Sequence, residues 1–296
     1  MRRRSLCGFV ILLFAASAAV AAPQHGSFLS NGVKIHYISE GEGEPVILIH
    51  GFAASAAMNW VMPGVFDNLA RHYHLIALDN RGHGRSGKPH EIEKYGPEMA
   101  EDIVRLLDHL HIQKAHIVGY SMGGFITAKL VVSHPERIIC AVIGGAGWNR
   151  AEDDHAIIEQ IAKSLEAGTG ITPLIKALTP SGVPTPSDEQ LKTRNQLIMA
   201  ANDPKALAAC IRGMLNLELT QQQIEKNKVP VLAIVGEKDP LKVSVDHMTG
   251  VMGNLKVIIL ANGDHISTFQ SPKFVEAVNK FLEEHSHHPA TASVGK

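Results

Sequence analysis

Short apolar runs recur along the chain, and most are separated by stretches with helical periodicity. Each run is rich in Ile, Leu and Val, which is typical of parallel strands buried on both faces. Apolar positions three and four residues apart predict helices over residues 97–110, 122–133 and 272–284. The strand-like runs cover residues 45–50, 75–79, 116–120, 137–144, 231–236 and 256–260. This alternation predicts an α/β fold, with a mostly parallel sheet covered by helices on both faces.

A hairpin is predicted ahead of the alternating units. Residues 28–30 and 33–38 have strand character and flank the dipeptide Asn31-Gly32. This dipeptide favours a type I′ turn, because both central positions of that turn need a positive φ angle. Two antiparallel strands are therefore expected before the parallel part of the sheet.

The alternation of strands and helices stops between Trp148 and Lys228. No strand-like run occurs there, whereas apolar residues with helical spacing do. Residues 168–186 are rich in glycine and proline and are predicted to form a loop. Three helix starts carry capping signals: Ser187 with Gln190, Thr220 with Gln223, and Asp203 before Pro204. We interpret this region as a helical insertion between two strands.

The first 22 residues have the pattern of a secretory signal. Arg2, Arg3 and Arg4 precede an apolar run over residues 6–20, and small residues follow around Ala21 and Ala22. The run is short for a membrane span, which needs about 20 apolar residues. Export to the periplasm or the medium is expected after cleavage near Ala21 or Ala22, leaving no stable membrane span. An uncleaved membrane anchor is the alternative.

Composition and charge narrow the possible partners. The chain is 45% hydrophobic and 19% charged, which is ordinary for a globular protein. Without the three arginines of the signal, the basic residues fall from 28 to 25 against 29 acidic ones, so the formal net charge falls from -1 to -4. Such a chain has no bulk electrostatic attraction for nucleic acid. Cys140 and Cys210 are predicted to be buried thiols, and residues 285–296 a disordered tail.

Gly119-Tyr120-Ser121-Met122-Gly123 matches the pattern G-x-S-x-G between an apolar strand and a helix. In that context the serine occupies a sharp and strained strand-to-helix turn, which exposes its hydroxyl at the edge of the sheet. Ser121 is therefore the predicted nucleophile.

A serine hydroxyl needs a base, and the base needs an acid that orients it. His265 follows the last predicted strand and Asp239 the strand before it, so both are expected at the same sheet edge as Ser121. Asp264 and Asp246 are the alternatives for the acid, and His50 and His83 are the alternatives for the base.

Two main-chain N–H groups are expected to stabilise a developing oxyanion. The N–H of Met122 directly follows the nucleophile. The N–H of Phe52, in His50-Gly51-Phe52 at the end of the first long strand, is the natural second donor.

At these residues the chain resembles the α/β-hydrolase family. The resemblance implies an eight-stranded sheet, a core over residues 23–146 and 223–284, and a helical lid over residues 147–222. It implies a triad of Ser121, Asp239 and His265 and a covalent acyl-enzyme, without a cofactor. Relatives with aspartate at the position of the nucleophile are dehalogenases and epoxide hydrolases, and Ser121 argues against both activities. The motifs behind the resemblance lie at residues 50–52, 79–86, 119–124, 236–240 and 263–265.

Other motifs are discounted. Residues 82–87 fit G-x-G-x-x-G, but Lys88-Pro89-His90 follows where a dinucleotide site needs a helix. The histidine pairs have no partners at zinc spacing, so no metal is expected. Trp60 and Trp148 are candidates for lining a substrate pocket, together with Met58 and Met62. Phe125 and Met214 are predicted to be core residues.

The sequence thus predicts a serine hydrolase that cleaves a carboxylic ester, or a related acyl bond, of a small to medium substrate. A C–C bond hydrolase or a perhydrolase would use the same triad. A ligand-binding receptor on a hydrolase scaffold is the alternative from another class, because fold does not fix function.

Overall fold

Eight strands form one sheet in the order β1-β2-β4-β3-β5-β6-β7-β8, as the alternation predicts. The computed structural model describes residues 23–148 and 155–286. The strands are β1 (Gln24–Ser30), β2 (Val33–Glu40), β3 (Pro45–Ile49), β4 (His74–Leu78), β5 (Ala115–Tyr120), β6 (Ile138–Gly144), β7 (Val231–Gly236) and β8 (Leu255–Leu260). The six predicted runs match β3 to β8 to within one residue at either end, whereas β1 begins four residues before the predicted start and β2 ends two residues after the predicted end.

The first two strands form the predicted hairpin. Asn31 and Gly32 have φ angles of 45° and 81°, as a type I′ turn requires. Strand β2 also pairs antiparallel with β4, and all pairs from β4 to β8 are parallel. The α/β-hydrolase fold predicted from the motifs, with a mostly parallel eight-stranded sheet, is confirmed.

Alternate strand residues face two separate hydrophobic layers. Ile47 and Ile117 belong to one cluster, while Leu48 and Val118 belong to the other, because successive side chains of a strand point to opposite faces. Helices α2 (Pro97–His109), α3 (Met122–Ser133) and α9 (Lys242–Met248) contribute to the first layer. Helices α1 (Val65–Leu69) and α11 (Pro272–His285) contribute to the second. The central strands therefore show no polar alternation.

The chain reverses its direction of winding between β3 and β5. From β3 it proceeds to β4 on one side, and from β5 it proceeds to β6, β7 and β8 on the other. The loops that leave the carboxyl ends of β3 and β5 therefore diverge and leave a crevice, which is where ligands bind in open α/β sheets.

The segment between β6 and β7 is helical wherever the structure describes it. It holds α4 (His155–Glu166), α5 (Thr172–Ala177), α6 (Asp188–Ala201), α7 (Pro204–Gly213) and α8 (Gln221–Glu225). Apolar residues of α4 and α7 form a third hydrophobic cluster. We call α4 to α7 the lid. Helix α8 includes residue 222, the predicted end of the lid, and contributes Ile224 to the first hydrophobic layer.

The predicted loop over residues 168–186 is wrong in part, because α5 lies within it. Pro173 occupies the first turn of this helix, where its missing N–H costs nothing. The three capping signals are confirmed: Ser187 and Thr220 head complete capping boxes, and Asp203 accepts hydrogen bonds from the first turn of α7.

Several expectations concern the ends of the chain. The predicted signal over residues 1–22 lies outside the described residues, as do residues 287–296 of the predicted tail. Helix α11 reaches His285, the first residue assigned to that tail. Within the described residues, no helix has the length and apolarity needed to cross a bilayer. Cys140 and Cys210 are buried free thiols, as predicted.

Candidate active site

Ser121 occupies the turn between β5 and α3 with φ 55° and ψ -120°. This conformation is unfavourable for a residue with a Cβ and is retained only where the surroundings enforce it. Two glycines allow the turn. A Cβ on Gly119 would lie 2.1 Å from the oxygen of Gly123, and a Cβ on Gly123 would lie 2.0 Å from the oxygen of Ile49. The glycines are thus required by close backbone approach, and the serine stands at the N-terminus of α3.

The structure brings Ser121, His265 and Asp239 together. His265 Nε2 lies 3.0 Å from Ser121 Oγ, and His265 Nδ1 lies 2.8 Å from Asp239 Oδ2. The side chains of His265 and Asp239 are 4% and 0% exposed, so little water competes for their hydrogen bond. The other oxygen of Asp239 accepts from the N–H of Leu241 at 2.9 Å, which orients the carboxylate. This geometry can transfer a proton from the hydroxyl to the imidazole.

The alternative acids serve other purposes. Asp264 caps helix α10 (His265–Gln270), and its Oδ1 accepts from the N–H groups of Ile266 and Ser267 at 3.0 and 2.7 Å. The hydrogen bond from Ser267 is the main reason that the pKa of Asp264 is below its ordinary value. Asp246 lies within α9 and pairs with Lys242.

Tyr120 supports the site in a way that sequence reasoning missed. Its hydroxyl donates a hydrogen bond to the backbone oxygen of His265 at 2.6 Å. Its ring packs against Phe269 and Phe274, which follow His265 in the chain. Tyr120 occupies a variable position of G-x-S-x-G, so the motif carries no signal for this contact.

The loop after β3 lies against the nucleophile. A Cβ on Gly51 would lie 3.3 Å from the Cβ of Ser121, so the two residues are closely packed. Phe52, Ser121 and Met122 line the same cavity. Met122 is the first residue of α3, so its N–H has no acceptor within the helix. Both predicted oxyanion donors thus belong to residues that border the nucleophile.

His50 and His83 lie beneath this loop and away from the proton relay. His50 Nδ1 donates to the oxygen of Gly51 at 2.7 Å, and its Nε2 accepts from the N–H of Asn80 at 2.9 Å. His83 Nδ1 donates to the oxygen of Arg81 at 3.0 Å, and the ring contacts that of Phe52 edge-on. Burial, followed by the neighbouring His50, lowers the pKa of His83 to about 3. Burial also lowers the pKa of His50. Both rings are therefore neutral supports of the loop.

A cavity of about 320 Å³ opens beside Ser121, between α3 and the lid. Its walls are aliphatic and aromatic except at Ser121, Glu218 and His247. The lid contributes much of this wall, with Ile157, Ile158, Ile161, Leu174, Leu178 and Ile211. Neither Glu218 nor His247 had any signal in the sequence.

Four predictions about the pocket need correction. Trp60 does not line the cavity: its ring is fully buried in the second layer of the sheet and contacts Phe269. Trp148 does not line it either, because its Nε1 donates to the oxygen of Leu219 at 2.8 Å and its ring lies beside His247. Met58 and Met62 are absent from the wall and are exposed. Phe125 and Met214, predicted as core residues, pack partly buried against the core and also line the cavity.

The glycine-rich segment at residues 82–87 forms a turn rather than a helix start. Its residues contact Asp79, whose Oδ2 accepts from the N–H of Arg85 at 2.9 Å. Burial opposes ionisation of Asp79, but the N–H groups of Arg85 and Ala56 and the His50 and His36 rings keep its pKa below the ordinary value. Across residues 23–148 and 155–286, no group of three or more His, Cys, Asp or Glu side chains is placed to hold a metal ion.

Comparison with known proteins agrees with this geometry. A family model described as the alpha/beta hydrolase fold matches residues 44–161. The chain is 32% identical to the 2-hydroxy-6-oxo-6-(2'-aminophenyl)hexa-2,4-dienoic acid hydrolase of Metapseudomonas resinovorans over 221 residues, which are 71% of this chain and 73% of that protein. This chain belongs to the α/β-hydrolase fold family.

Other relatives of this α/β-hydrolase are named for different activities. It is 28% identical to 3-oxoadipate enol-lactonase 2 of Acinetobacter baylyi, over 70% of this chain and 79% of that enzyme. Among solved structures it resembles Est816, described as an N-acyl homoserine lactone degrading enzyme. That match has a TM-score of 0.70 and 25% identity and covers 86% of this chain and 100% of the other. The prediction of a hydrolytic enzyme is therefore confirmed.

Proposed function

We propose that this α/β-hydrolase cleaves carboxylic esters of small to medium, uncharged acids through an acyl-enzyme on Ser121. The observation that carries the proposal is the continuous hydrogen-bonded relay from Ser121 through His265 to Asp239, which faces an apolar cavity. A receptor that only binds its ligand has no need of such a relay.

The relay supports nucleophilic attack by Ser121. As its Oγ bonds to the ester carbonyl carbon, His265 Nε2 takes the hydroxyl proton, and the carbonyl electrons move to the oxygen. Asp239 holds Nδ1–H of the ring and stabilises the imidazolium that forms. When the tetrahedral intermediate collapses, the C–O bond to the alcohol breaks and His265 returns the proton to the leaving oxygen.

Two N–H groups are assigned to the negative oxygen of this intermediate. The N–H of Met122 begins α3, where the helix dipole favours negative charge. The N–H of Phe52 belongs to the loop packed on Ser121. Each such donor is worth about 10²–10³-fold in kcat, because it is held in place before charge develops.

Water completes the reaction. His265, neutral again after the alcohol leaves, takes a proton from a water molecule as the water oxygen bonds to the acyl carbon. The second tetrahedral intermediate then releases the carboxylic acid, and the proton returns to Ser121 Oγ. The same residues thus serve both halves of the cycle.

The cavity favours an uncharged acyl group. Its volume of about 320 Å³ lies at the lower end of the ~300–1,000 Å³ typical of ligand pockets. Within the described residues no Lys or Arg lines it, whereas Glu218 does. His247 also lines it, and its Nδ1 donates to the oxygen of Trp148 at 3.2 Å. A substrate carboxylate would find no Lys or Arg in this wall to pair with.

A labelling experiment tests the nucleophile. A fluorophosphonate probe is expected to modify the wild-type protein at Ser121, as located by mass spectrometry of the labelled peptide. The variant Ser121→Ala should remain unlabelled, and Ser133→Ala, which changes an exposed serine at the other end of α3, should label normally. Labelling of folded Ser121→Ala at another residue would overturn the assignment.

A substrate panel tests the acyl group. We expect p-nitrophenyl esters of four to eight carbons to be hydrolysed with a higher kcat/KM than the acetate or the laurate. A matched pair, methyl hexanoate and monomethyl adipate, isolates the effect of a distal carboxylate, and we expect the neutral ester to react at least ten times faster. A higher kcat/KM for monomethyl adipate would contradict the preference for uncharged acyl groups inferred from the cavity wall. It would not affect the assignment of the triad.

Hydrolysis of a C–C bond is the second candidate. It is supported by the 32% identity to a dienoic acid hydrolase over 71% of this chain. The absence of Lys and Arg from the described wall of the cavity counts against it, because a dienoic acid carries a carboxylate at neutral pH. Turnover of a 2-hydroxy-6-oxo-hexa-2,4-dienoate at a higher kcat/KM than any ester of the panel would favour this candidate.

We also propose that the protein is exported. The support is the pattern of arginines, an apolar run and small residues within residues 1–22. Expression of the full chain in a bacterial host, followed by N-terminal sequencing of the periplasmic and secreted fractions, should give a mature start at Ala22 or Pro23. Recovery of only the uncleaved protein, in the membrane fraction, would support an anchor instead.

A further inference from the structure

The junction between α6 and α7 contacts the loop that carries the Phe52 N–H. Asn202 directly follows α6, and its Nδ2 donates to the oxygen of Ala53 at 3.3 Å and to that of Ile198 at 3.0 Å. The next residue, Asp203, lies 3.0 Å from His90 Nε2. Two consecutive residues of this junction, Asn202 and Asp203, therefore connect the lid to two different loops of the sheet domain.

Ala53 has an unusual backbone conformation for its residue type. Its φ angle is 57°, in the left-handed region that favours glycine. The residue is 6% exposed, and it packs in the lid cluster with residues such as Leu207 and Ile158 rather than in either layer of the sheet. A strained residue persists only where its surroundings enforce the strain, and here those surroundings belong to the lid.

Hydrogen bonds from the sheet domain hold the loop before and after Phe52 and Ala53. Asn80 Nδ2 donates to the oxygen of His50, and Asn59 Oδ1 accepts from the N–H of Gly51. Among the described residues, only Asn202 makes a hydrogen bond to a main-chain N–H or C=O group of Phe52 or Ala53. Beyond Ala53, the N–H of Ala54 donates to the oxygen of Gly51 at 3.4 Å and the N–H of Ala56 donates to Asp79 Oδ1 at 2.8 Å. The sheet domain thus holds the loop on both sides, and Asn202 holds the Ala53 carbonyl between them.

We infer that Asn202 is a positioning residue for the oxyanion hole. Its amide holds the Ala53 carbonyl and thereby the left-handed turn, which sets the direction of the preceding Phe52 N–H. When the α6–α7 junction moves away, Ala53 is free to relax and the donor turns from the position of the oxyanion. Hydrolysis therefore requires the lid in the position that the structure shows. The inference rests on the proposed function, because the donor matters only where a negative oxygen develops.

A purely structural role for Asn202 has a different signature. Its second hydrogen bond, to the Ile198 oxygen, satisfies a carbonyl in the last turn of α6. If this were its whole contribution, replacing Asn202 would lower the melting temperature and leave the catalytic constants of the folded enzyme unchanged. The two roles are separated by kcat and by the affinity for an oxyanion mimic.

The experiment compares Asn202→Ala and Asn202→Asp with the control Asn195→Ala. Asn195 belongs to the same helix and makes two hydrogen bonds within the lid, accepting from the N–H of Ile171 and donating to Thr172 Oγ1. It makes no hydrogen bond to the sheet domain among those of the described residues. For each folded variant we would measure kcat and KM on p-nitrophenyl butyrate, inhibition by an alkyl trifluoromethyl ketone, and the melting temperature.

We expect Asn202→Ala to lower kcat about tenfold, less than the ~10²–10³-fold for complete loss of a donor, because the donor is misdirected rather than removed. KM should stay within about twofold, since the cavity is unchanged. The ketone forms a tetrahedral adduct whose oxygen needs the same donor, so its affinity should fall by the same factor as kcat/KM. Asn202→Asp keeps the shape of the side chain and loses the N–H donor, so it should show the same losses as Asn202→Ala. It provides the test if the alanine variant does not fold.

Asn195→Ala should keep kcat and ketone affinity within about twofold of the wild type. An equal loss in Asn195→Ala would overturn the inference, because the effect would belong to general loosening of the lid. Unchanged kcat and ketone affinity in both Asn202 variants would also overturn it. Failure of the proposed function is recognised separately, since the wild-type protein would then neither react with the fluorophosphonate at Ser121 nor bind the ketone.

Discussion

The hydroxyl of Tyr120 and the backbone oxygen of His265 are hydrogen-bonded at 2.6 Å. Tyr120 immediately precedes the nucleophile in the chain, whereas His265 follows it by 144 residues. The residue beside the nucleophile thus holds the backbone of the base. Since the ring of Tyr120 also packs on Phe269 and Phe274, helices α10 and α11 are positioned by the same side chain.

Removing that hydroxyl should affect both catalysis and stability. We predict that Tyr120→Phe lowers kcat about threefold to tenfold with KM nearly unchanged, because the His265 backbone loses a support. The free energy of unfolding should fall by about 1–3 kcal/mol, the cost of an unsatisfied buried carbonyl. Tyr95→Phe is the control, because Tyr95 also donates to a carbonyl at 2.6 Å, that of Pro89. Steady-state kinetics and urea unfolding would decide, and an equal kcat loss in both variants would contradict a specific role.

The identity of the acid can be tested with two isosteric changes. Asp239→Asn should keep the fold and lower kcat by about 10³–10⁴-fold, because an amide cannot stabilise the imidazolium and favours the wrong tautomer. Asp264→Asn should keep kcat within about threefold, since asparagine also caps helices well. Kinetic assays on both folded variants are sufficient. A larger loss in Asp264→Asn than in Asp239→Asn would reassign the acid.

The close backbone approach at the turn that carries Ser121 predicts that a substitution of Gly123 strongly lowers stability. A Cβ on Gly123 would lie 2.0 Å from the backbone oxygen of Ile49, which cannot move without disturbing β3. We expect Gly123→Ala to lose more than about 4 kcal/mol, in the exceptional range for a single substitution, or not to fold. Gly253→Ala, where a Cβ would meet nothing within 4 Å, should change stability by less than about 0.5 kcal/mol. Circular dichroism and urea titration compare the two directly.

The buried histidine beneath the oxyanion loop predicts an acid-sensitive fold. Burial excludes the charged ring and lowers the pKa of His83 from its ordinary value of 6.5 to about 3. Between these values the unfolded chain binds a proton that the folded chain does not, so stability decreases as the pH falls below about 6.5. We expect His83→Gln to flatten the dependence of the free energy of unfolding on pH between 4 and 6. The exposed control His72→Gln should keep the wild-type slope, and an unaltered slope in His83→Gln would refute this assignment.

The lid residue Ala177 offers a test of the acyl cavity. It lines the cavity from α5 and is exposed, so a larger side chain can be added there without disturbing the core. We predict that Ala177→Phe raises the ratio of kcat/KM for butyrate over octanoate at least fivefold. Ala201→Phe, at the end of α6 and outside the cavity wall, should leave the ratio unchanged. No change in the Ala177 variant would mean that long acyl chains lie elsewhere.

Local patterns were sufficient where each element's own residues decide its conformation. The strands were recognisable because central parallel strands are apolar on both faces, and the hairpin because Asn31-Gly32 accepts positive φ angles. The nucleophile, base and acid could be proposed from chain positions alone. Parallel strands place their carboxyl ends at one edge, so residues that follow β5, β7 and β8 are expected to meet.

Side-chain direction was beyond such patterns. Trp60 was expected in the pocket, but the turn that carries it points the ring into the opposite layer, against Phe269. Phe125 and Met214 look like core residues by hydropathy, yet they face a cavity because the lid is held above α3. Helix α5 was missed because glycines and prolines on both sides of a six-residue helix dominate the sequence signal.

The order of strands and helices, the strained turn at Ser121 and the candidates for its relay can be predicted from the sequence, because they depend on neighbouring residues and on strand direction. The packing of the folded chain is needed to show that Tyr120 supports His265, that Asn202 contacts Ala53, and that Glu218 and His247 line the cavity. Those contacts join segments far apart in the chain. Their existence depends on how the lid and the sheet pack together, which no local pattern encodes.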